Sequence, residues 1–213
     1  MKFGRMLAAG AALSMTLAGA ASATDLSGLM TSDNLFYAWL GTSSTSLGTL
    51  VGSGASWPTA FPIGPATLTA GQTNYLNIEA INGGGPGGLD FSLSLSDTGF
   101  QFANGSQTLT SGDLADYTAT FNNNGCCGVQ PWVAATGPAV VAGYPWGPVA
   151  GSYVWGDAVG GLNECGVCTV DFTVAITSTS AAPEPSTWAM MLLGIGGLGA
   201  ALRSRRRTAV ATA

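Results

Sequence analysis

Ten carboxylates lie between Thr24 and Ala182, with no Lys, Arg or His among them: Asp25, Asp33, Glu79, Asp90, Asp97, Asp113, Asp116, Asp157, Glu164 and Asp171. Side-chain chemistry in this stretch must therefore run on acids, hydroxyls, amides and thiols. A carboxylate pair can hydrolyse a glycosidic bond when the two groups face each other about 5–10 Å apart across a cleft. Asp113 and Asp116 are close in sequence, but their odd separation would point them to opposite faces of a strand. There is no His base, Lys nucleophile or Arg clamp. The expectation is a chain that is not an enzyme, with an acid-based glycoside hydrolase as the alternative. Nucleic acid is excluded as a partner, because no cation is there to neutralise phosphates. Without internal ion pairs, each carboxylate must rely on water, hydrogen bonds or a bound cation. Oxygen-only ligand sets suit hard cations, so Asp90 and Asp157 are calcium candidates and no other cofactor is expected.

Four cysteines, Cys126, Cys127, Cys165 and Cys168, complete the reactive inventory. An even number predicts disulfides where the compartment is oxidising. Two bridges between the Cys126/Cys127 pair and the Cys165/Cys168 pair are favoured. The first would close a loop of about 40 residues and contribute roughly 4 kcal/mol in the chain-entropy model. The rival is a local Cys165–Cys168 bridge, which leaves two adjacent cysteines awkward to join. A redox Cys-x-x-Cys lacks the helix that should follow it, and a four-thiolate zinc site lacks a spacer between Cys126 and Cys127. The segment bracketed by these cysteines holds Trp132, Tyr144, Trp146, Tyr153 and Trp155 among Gly and Pro. Trp132, Tyr144, Trp146 and Trp155 are candidates for a carbohydrate-stacking platform. The alternative is that Tyr153 and Trp155 fill a core and Trp146 packs a turn.

Strands are the elements expected to position these groups. In residues 75–81, Leu76, Ile78 and Ala80 share one face. The stretches 89–96, 114–121 and 170–176 alternate in the same way, as in Val170, Phe172, Val174 and Ile176 against Asp171, Thr173 and Ala175. Residues 34–40, 100–103 and 152–155 are weaker strand candidates. Each strand should have one apolar and one wet face, the pattern of antiparallel sheets packed on one side. Gly-rich turns at 82–88 and 122–125 separate them. The fold class is all-β, a β-sandwich of jelly-roll kind. A β-solenoid is the runner-up, although no fixed repeat is present. The turn "GGGPGGLDF" (83–91) is partly similar to the Gly-Asp repeats that bind calcium in β-helical toxins. Pro86 and Ser92 break that pattern, and it occurs once. The alternative is a hairpin turn with a solvated Asp90.

The two ends carry all six basic residues: Lys2, Arg5, Arg203, Arg205, Arg206 and Arg207. Residues 1–23 read as a secretory signal peptide: a basic start, an apolar run and an Ala21-Ser22-Ala23 cleavage site. The domain spans 24–176 and suits one core, and a linker spans 177–182. The uncharged run 188–202 would make a helix of about 22 Å against a hydrocarbon core of about 30 Å. It is a short membrane helix, rich in Gly and closed by a cytoplasmic basic stop at 203–207. Pro183-Glu184-Pro185, then Trp188-Ala189, an apolar helix and a basic end together resemble the PEP-CTERM sorting signal, PEPxxWA form, over about the last 30 residues. The resemblance implies recognition by an exosortase-type membrane protease in Gram-negative bacteria that make exopolysaccharide. It also implies cleavage near Pro183–Pro185 and delivery to the cell surface or matrix. Export would use the Sec machinery, with transient anchoring in the inner membrane. The expected function is a cell-surface or extracellular-matrix protein with exopolysaccharide as a candidate partner; a calcium-dependent carbohydrate-binding module is a further alternative.

Overall fold

The computed structural model describes residues 23–84, 87–122, 132–141, 149, 151–156, 168–179, 191–199 and 203. Among them the chain forms β1 (Asp25–Asp33), β2 (Leu35–Gly41), β3 (Thr49–Gly54), β4 (Phe61–Thr67), β5 (Asn74–Asn82), β6 (Gly88–Leu95), β7 (Phe100–Phe102), β8 (Thr108–Thr110), β9 (Thr118–Asn122), β10 (Ala139–Val141), β11 (Val154–Gly156) and β12 (Cys168–Ser178). A single 3₁₀ turn, Leu114–Asp116, precedes β9. All strand pairs are antiparallel and form two sheets. One runs β10-β11-β6-β1-β4 with β8 also on β6; the other runs β3-β2-β5-β12-β7 with β9 also on β12. From β4 to β9 successive strands alternate between the sheets.

The core lies between the sheets, filled by the faces that alternation marks out. Leu76, Ile78 and Ala80 of β5 meet Val170, Phe172, Val174 and Ile176 of β12, and Leu89, Phe91, Leu93 and Leu95 of β6 face them. Phe36, Phe91, Phe102 and Phe172 are fully buried. Each such burial contributes about 1.5–3 kcal/mol, in a domain that has no side-chain cation to form an ion pair. Phe91, Tyr117, Phe172 and Trp155 form a chain of ring contacts through the middle, with centroids 5.2–6.4 Å apart. Where β3 approaches β4 the sheets come close. A Cβ on Gly54 would fall 2.3 Å from the Phe61 ring, so only glycine lets that ring reach Phe36.

Several expected boundaries shift. The strand expected over 114–121 starts only at Thr118, because Asp113 turns the chain first: its Oδ2 accepts from the Thr110 amide (2.8 Å) and hydroxyl (2.9 Å). Asp113 therefore precedes a 3₁₀ turn that Asp116 ends, rather than the two sharing a strand. β12 runs to Ser178, and the Thr179 amide donates to Gly99 O at 3.0 Å, so the first residues of the expected linker are sheet. Wet outer faces are a larger correction. β5 is buried on both faces from Leu76 to Asn82, and β12 is buried on both from Thr169 to Val174.

Candidate functional site

The residues that carry charge in the middle of the fold stand in one row. Register places Tyr37 of β2 beside Glu79 of β5, Glu79 beside Asp171 of β12, and Asp171 beside Thr120 of β9. Partners in a ladder point to the same face, here the face turned away from the core. The next row sets Trp39, Asn77, Thr173 and Thr118 side by side. Strand alternation thus collects two acids, amides and hydroxyls on one outer face, with the Tyr37 and Trp39 rings at its border (5.7 Å, tilted 31°).

Two non-periodic segments roof this face and explain why it is dry. Asn77 Nδ2 donates to the carbonyls of Ser43 (3.0 Å) and Ser46 (2.8 Å). Trp132 Nε1 donates to Ser44 O at 3.0 Å, tying the second segment to the first. The Val133 amide donates to Asp171 Oδ2 (3.0 Å), Thr118 Oγ1 to Ala135 O (2.9 Å), and the Thr136 amide to Thr120 Oγ1 (2.8 Å). Thr173 Oγ1 closes the face on Asn77 Oδ1 at 3.2 Å. Glu79, Asp171 and Asn77 are all 0 % exposed as a result. Asp171 Oδ2 also accepts from Asn122 Nδ2 at 2.8 Å, whereas its Oδ1 is buried without a hydrogen-bond partner. Burial pushes the Asp171 carboxyl up to about 6 against the opposing effect of Asn122 and the Val133 amide. Covered in this way, the pair lines no open cleft for a polymer.

The other sheet holds a second sealed acid, Asp90. It is 1 % exposed, and Ser111 Oγ donates to its Oδ1 at 2.7 Å. Gly151 lies so close that a Cβ there would come within 2.3 Å of both Ser111 Oγ and Asp90 Oδ1. Burial raises the Asp90 pKa, while Ser111 and the Phe91 amide oppose the rise. The solvated turn aspartate of the alternative reading is therefore a buried, hydrogen-bonded one. Its fellow calcium candidate Asp157 lies outside the described residues. Among the described residues no group of three or more His, Cys, Asp or Glu is placed to hold a metal.

The aromatic candidates separate. Trp155 is a core residue, 4 % exposed, against Phe172, with its indole N–H buried and lacking an acceptor, so it cannot stack on a sugar from a loop. Tyr153 is buried as well and donates to Trp57 O at 3.0 Å. Trp132 is half-buried in the roof of the acidic face. Tyr144 and Trp146 lie outside the described residues, as do Cys126, Cys127 and Cys165. Cys168 opens β12, and no disulfide is seen among the described residues. Sequence reasoning missed the Glu79–Asp171 row and the Tyr37–Trp39 pair. The signal for the acidic row lies in the polar positions of β5 and β12, two of the best-patterned strands, and that for Tyr37 and Trp39 in the alternate positions of the weaker candidate 34–40.

At the far end, residues 191–199 are helical, with Met191, Leu192, Leu193, Ile195 and Leu198 exposed, and Arg203 is helical and exposed. No helix among the described residues is long and apolar enough to cross a membrane. The expected span 188–202 extends beyond them, as do Pro183, Glu184, Pro185, Trp188, Ala189, Arg205, Arg206 and Arg207. The description of the PEP-CTERM protein-sorting motif matches residues 181–207. The chain carries a PEP-CTERM protein-sorting motif. The PEP-CTERM motif makes this an exported protein with a C-terminal sorting signal, and implies processing by exosortase, a membrane protein. No curated protein and no solved structure matches the chain.

Proposed function

We propose that this is a cell-surface or extracellular-matrix protein whose β-sandwich is the cargo and whose PEP-CTERM motif is the address. One observation carries the reading. β12 lies inside its sheet, between β5 on one side and β7 and β9 on the other, and is complete at Ser178; the motif begins at 181. Among the described residues, a cut near Pro183–Pro185 removes no strand and no core residue, so the released body keeps its fold. Thr24 supports the same division at the other end. It is buried, Leu68 N donates to its carbonyl at 2.9 Å, and β1 starts directly after it, so a signal peptide of residues 1–23 is removable too. Both cuts together would strip every Lys and Arg from the product, leaving a polyanion suited to a hydrated surface. The test replaces Pro183, Glu184 and Pro185 with alanine in a cell that contains an exosortase. The expected result is a chain that keeps its C-terminal tail and stays in the inner membrane. Unchanged delivery to the surface would contradict the assignment.

Contact with exopolysaccharide is the finer part of the proposal and rests on the remaining aromatics. With Trp155 in the core, Tyr144, Trp146 and the half-buried Trp132 are the residues left to stack on a sugar. Retention on the cell's own exopolysaccharide should fall in Trp146→Ala. Equal retention would end that part and leave the address intact.

A further inference from the structure

We infer that the outer face of β1, capped by Trp57, is a platform for a neutral polysaccharide chain. The inference rests on the polysaccharide contact proposed above and gives that contact a different place. Its ring comes from the loop between β3 and β4. Trp57 is 39 % exposed, and among the described residues it is the one aromatic in the set of exposed large hydrophobic side chains. Its backbone is fixed from below. The Thr31 hydroxyl donates to Ser56 O (3.1 Å) and Trp57 O (2.8 Å), and the Tyr153 hydroxyl donates to Trp57 O (3.0 Å). The Thr59 amide closes the turn on Ser56 O at 3.2 Å. Thr31 and Tyr153 are both buried. Two buried hydroxyls thus hold one loop carbonyl, while the side chain of that residue stays exposed. A ring presented in this way can stack on a ligand with little loop left to order.

Register supplies the rest of the platform. Leu29, two residues before Thr31, lies on the same face of β1 and is 45 % exposed. Its ladder partners are Pro62 of β4 and Ser92 of β6, and Ser92 pairs in turn with Thr110 of β8. Pro62 is exposed, and Ser92 and Thr110 are half-buried. One row therefore crosses four strands, from the apolar Pro62 and Leu29 to the hydroxyls of Ser92 and Thr110. Thr110 Oγ1 donates to Asp113 Oδ2, and its oxygen can still accept. A sugar chain offers the matching surfaces: C–H faces that pack on aromatic and aliphatic groups, and hydroxyls that hydrogen-bond. Charge selects the polymer. No acidic or basic residue occurs from Asn34 to Ile78, and the row itself is uncharged. The stretch from Thr24 to Ala182 carries ten carboxylates and no side-chain cation, so an acidic polymer meets repulsion that a neutral one does not.

The experiment is native affinity electrophoresis of the full chain in non-ionic detergent. Separate gels hold hydroxyethylcellulose, dextran, galactomannan, alginate or the cell's own exopolysaccharide. Retardation by at least one of the three neutral polymers is expected, with none by alginate and no loss on adding salt. Trp57→Ala should weaken binding about tenfold, whereas Trp57→Phe keeps a ring and most of the binding. The loop is held through the Trp57 carbonyl, so both variants keep its anchors. Retardation lost in Trp146→Ala but unchanged in Trp57→Ala would overturn this platform and leave the polysaccharide contact standing. Tighter binding to alginate than to the neutral polymers would overturn it as well. So would no retardation by the three neutral polymers; if the cell's own exopolysaccharide also fails, the contact proposed above falls with it. A dimer in size exclusion that Trp57→Ala dissolves would make the face a contact between two copies and would likewise overturn the inference.

Discussion

Replacing Asp171 with asparagine should abolish a pH dependence of stability that the native chain carries between about pH 4 and pH 6. In the fold the Asp171 pKa is raised from 3.8 to about 6, chiefly by burial, with Asn122 and the Val133 amide pulling the other way. The groups facing it are Glu79 from β5, Thr120 and Asn122 from β9, and the Val133 amide from the roof; none is a cation. A carboxyl with a raised folded-state pKa holds its proton more tightly when folded. Its contribution is therefore fully present below the unfolded pKa and is lost as pH climbs to about 6. About two units correspond to about 3 kcal/mol. The assay is urea denaturation followed by Trp fluorescence, with chelator present, at several pH values from 4 to 7. Other buried acids such as Asp90 titrate in both proteins, so the reading is the difference between them. Asparagine keeps an oxygen for Asn122 and Val133 but cannot ionise. The variant should gain about 3 kcal/mol relative to the native chain between pH 4 and pH 7. Parallel curves would refute the argument that desolvation of Asp171 governs the region.

Other substitutions probe the packing. Phe172→Ala empties a fully buried position touching Tyr117 and Trp155 and should cost about 3–5 kcal/mol in the same denaturation assay. Tyr117→Phe removes the hydroxyl that donates to Ser111 O at 2.5 Å and leaves that buried carbonyl short of a donor, for about 1–3 kcal/mol. Gly151→Ala drives a methyl against Ser111 Oγ and Asp90 Oδ1 and should lower stability by about 1–3 kcal/mol; a neutral result would mean the 149–152 segment does not seal Asp90.

The elements legible in the sequence were those whose alternation is long and uninterrupted. β5, β6 and β12 fall where Leu76–Ala80, Leu89–Leu95 and Val170–Ile176 place them, and their inward residues are the core. β1 was not legible. "DLSGLMTSD" mixes Gly28 and small polar residues with its two core anchors Leu26 and Met30, and its strand state comes from pairing with both β4 and β6. β3 and β4 hide behind Gly52, Gly54, Pro62 and Pro65, residues that ordinarily mark turns. The acidic row escaped for a different reason. Period two shows which residues share a face but not what covers it. The covering segments around 43–46 and 132–136 have no period of their own and act through backbone carbonyls and amides. The tail motif was legible because it is contiguous: Pro183-Glu184-Pro185, Trp188-Ala189 and the arginines lie within one short stretch.

The most direct test of the account is the intact mass of the protein recovered from the cell surface or medium of an exosortase-containing cell. The account predicts a chain beginning at Thr24, ending near Pro183–Pro185, and free of Lys and Arg, so that trypsin leaves it whole. Recovery of the full 213-residue chain from the cytoplasm, with both basic ends in place, would contradict it.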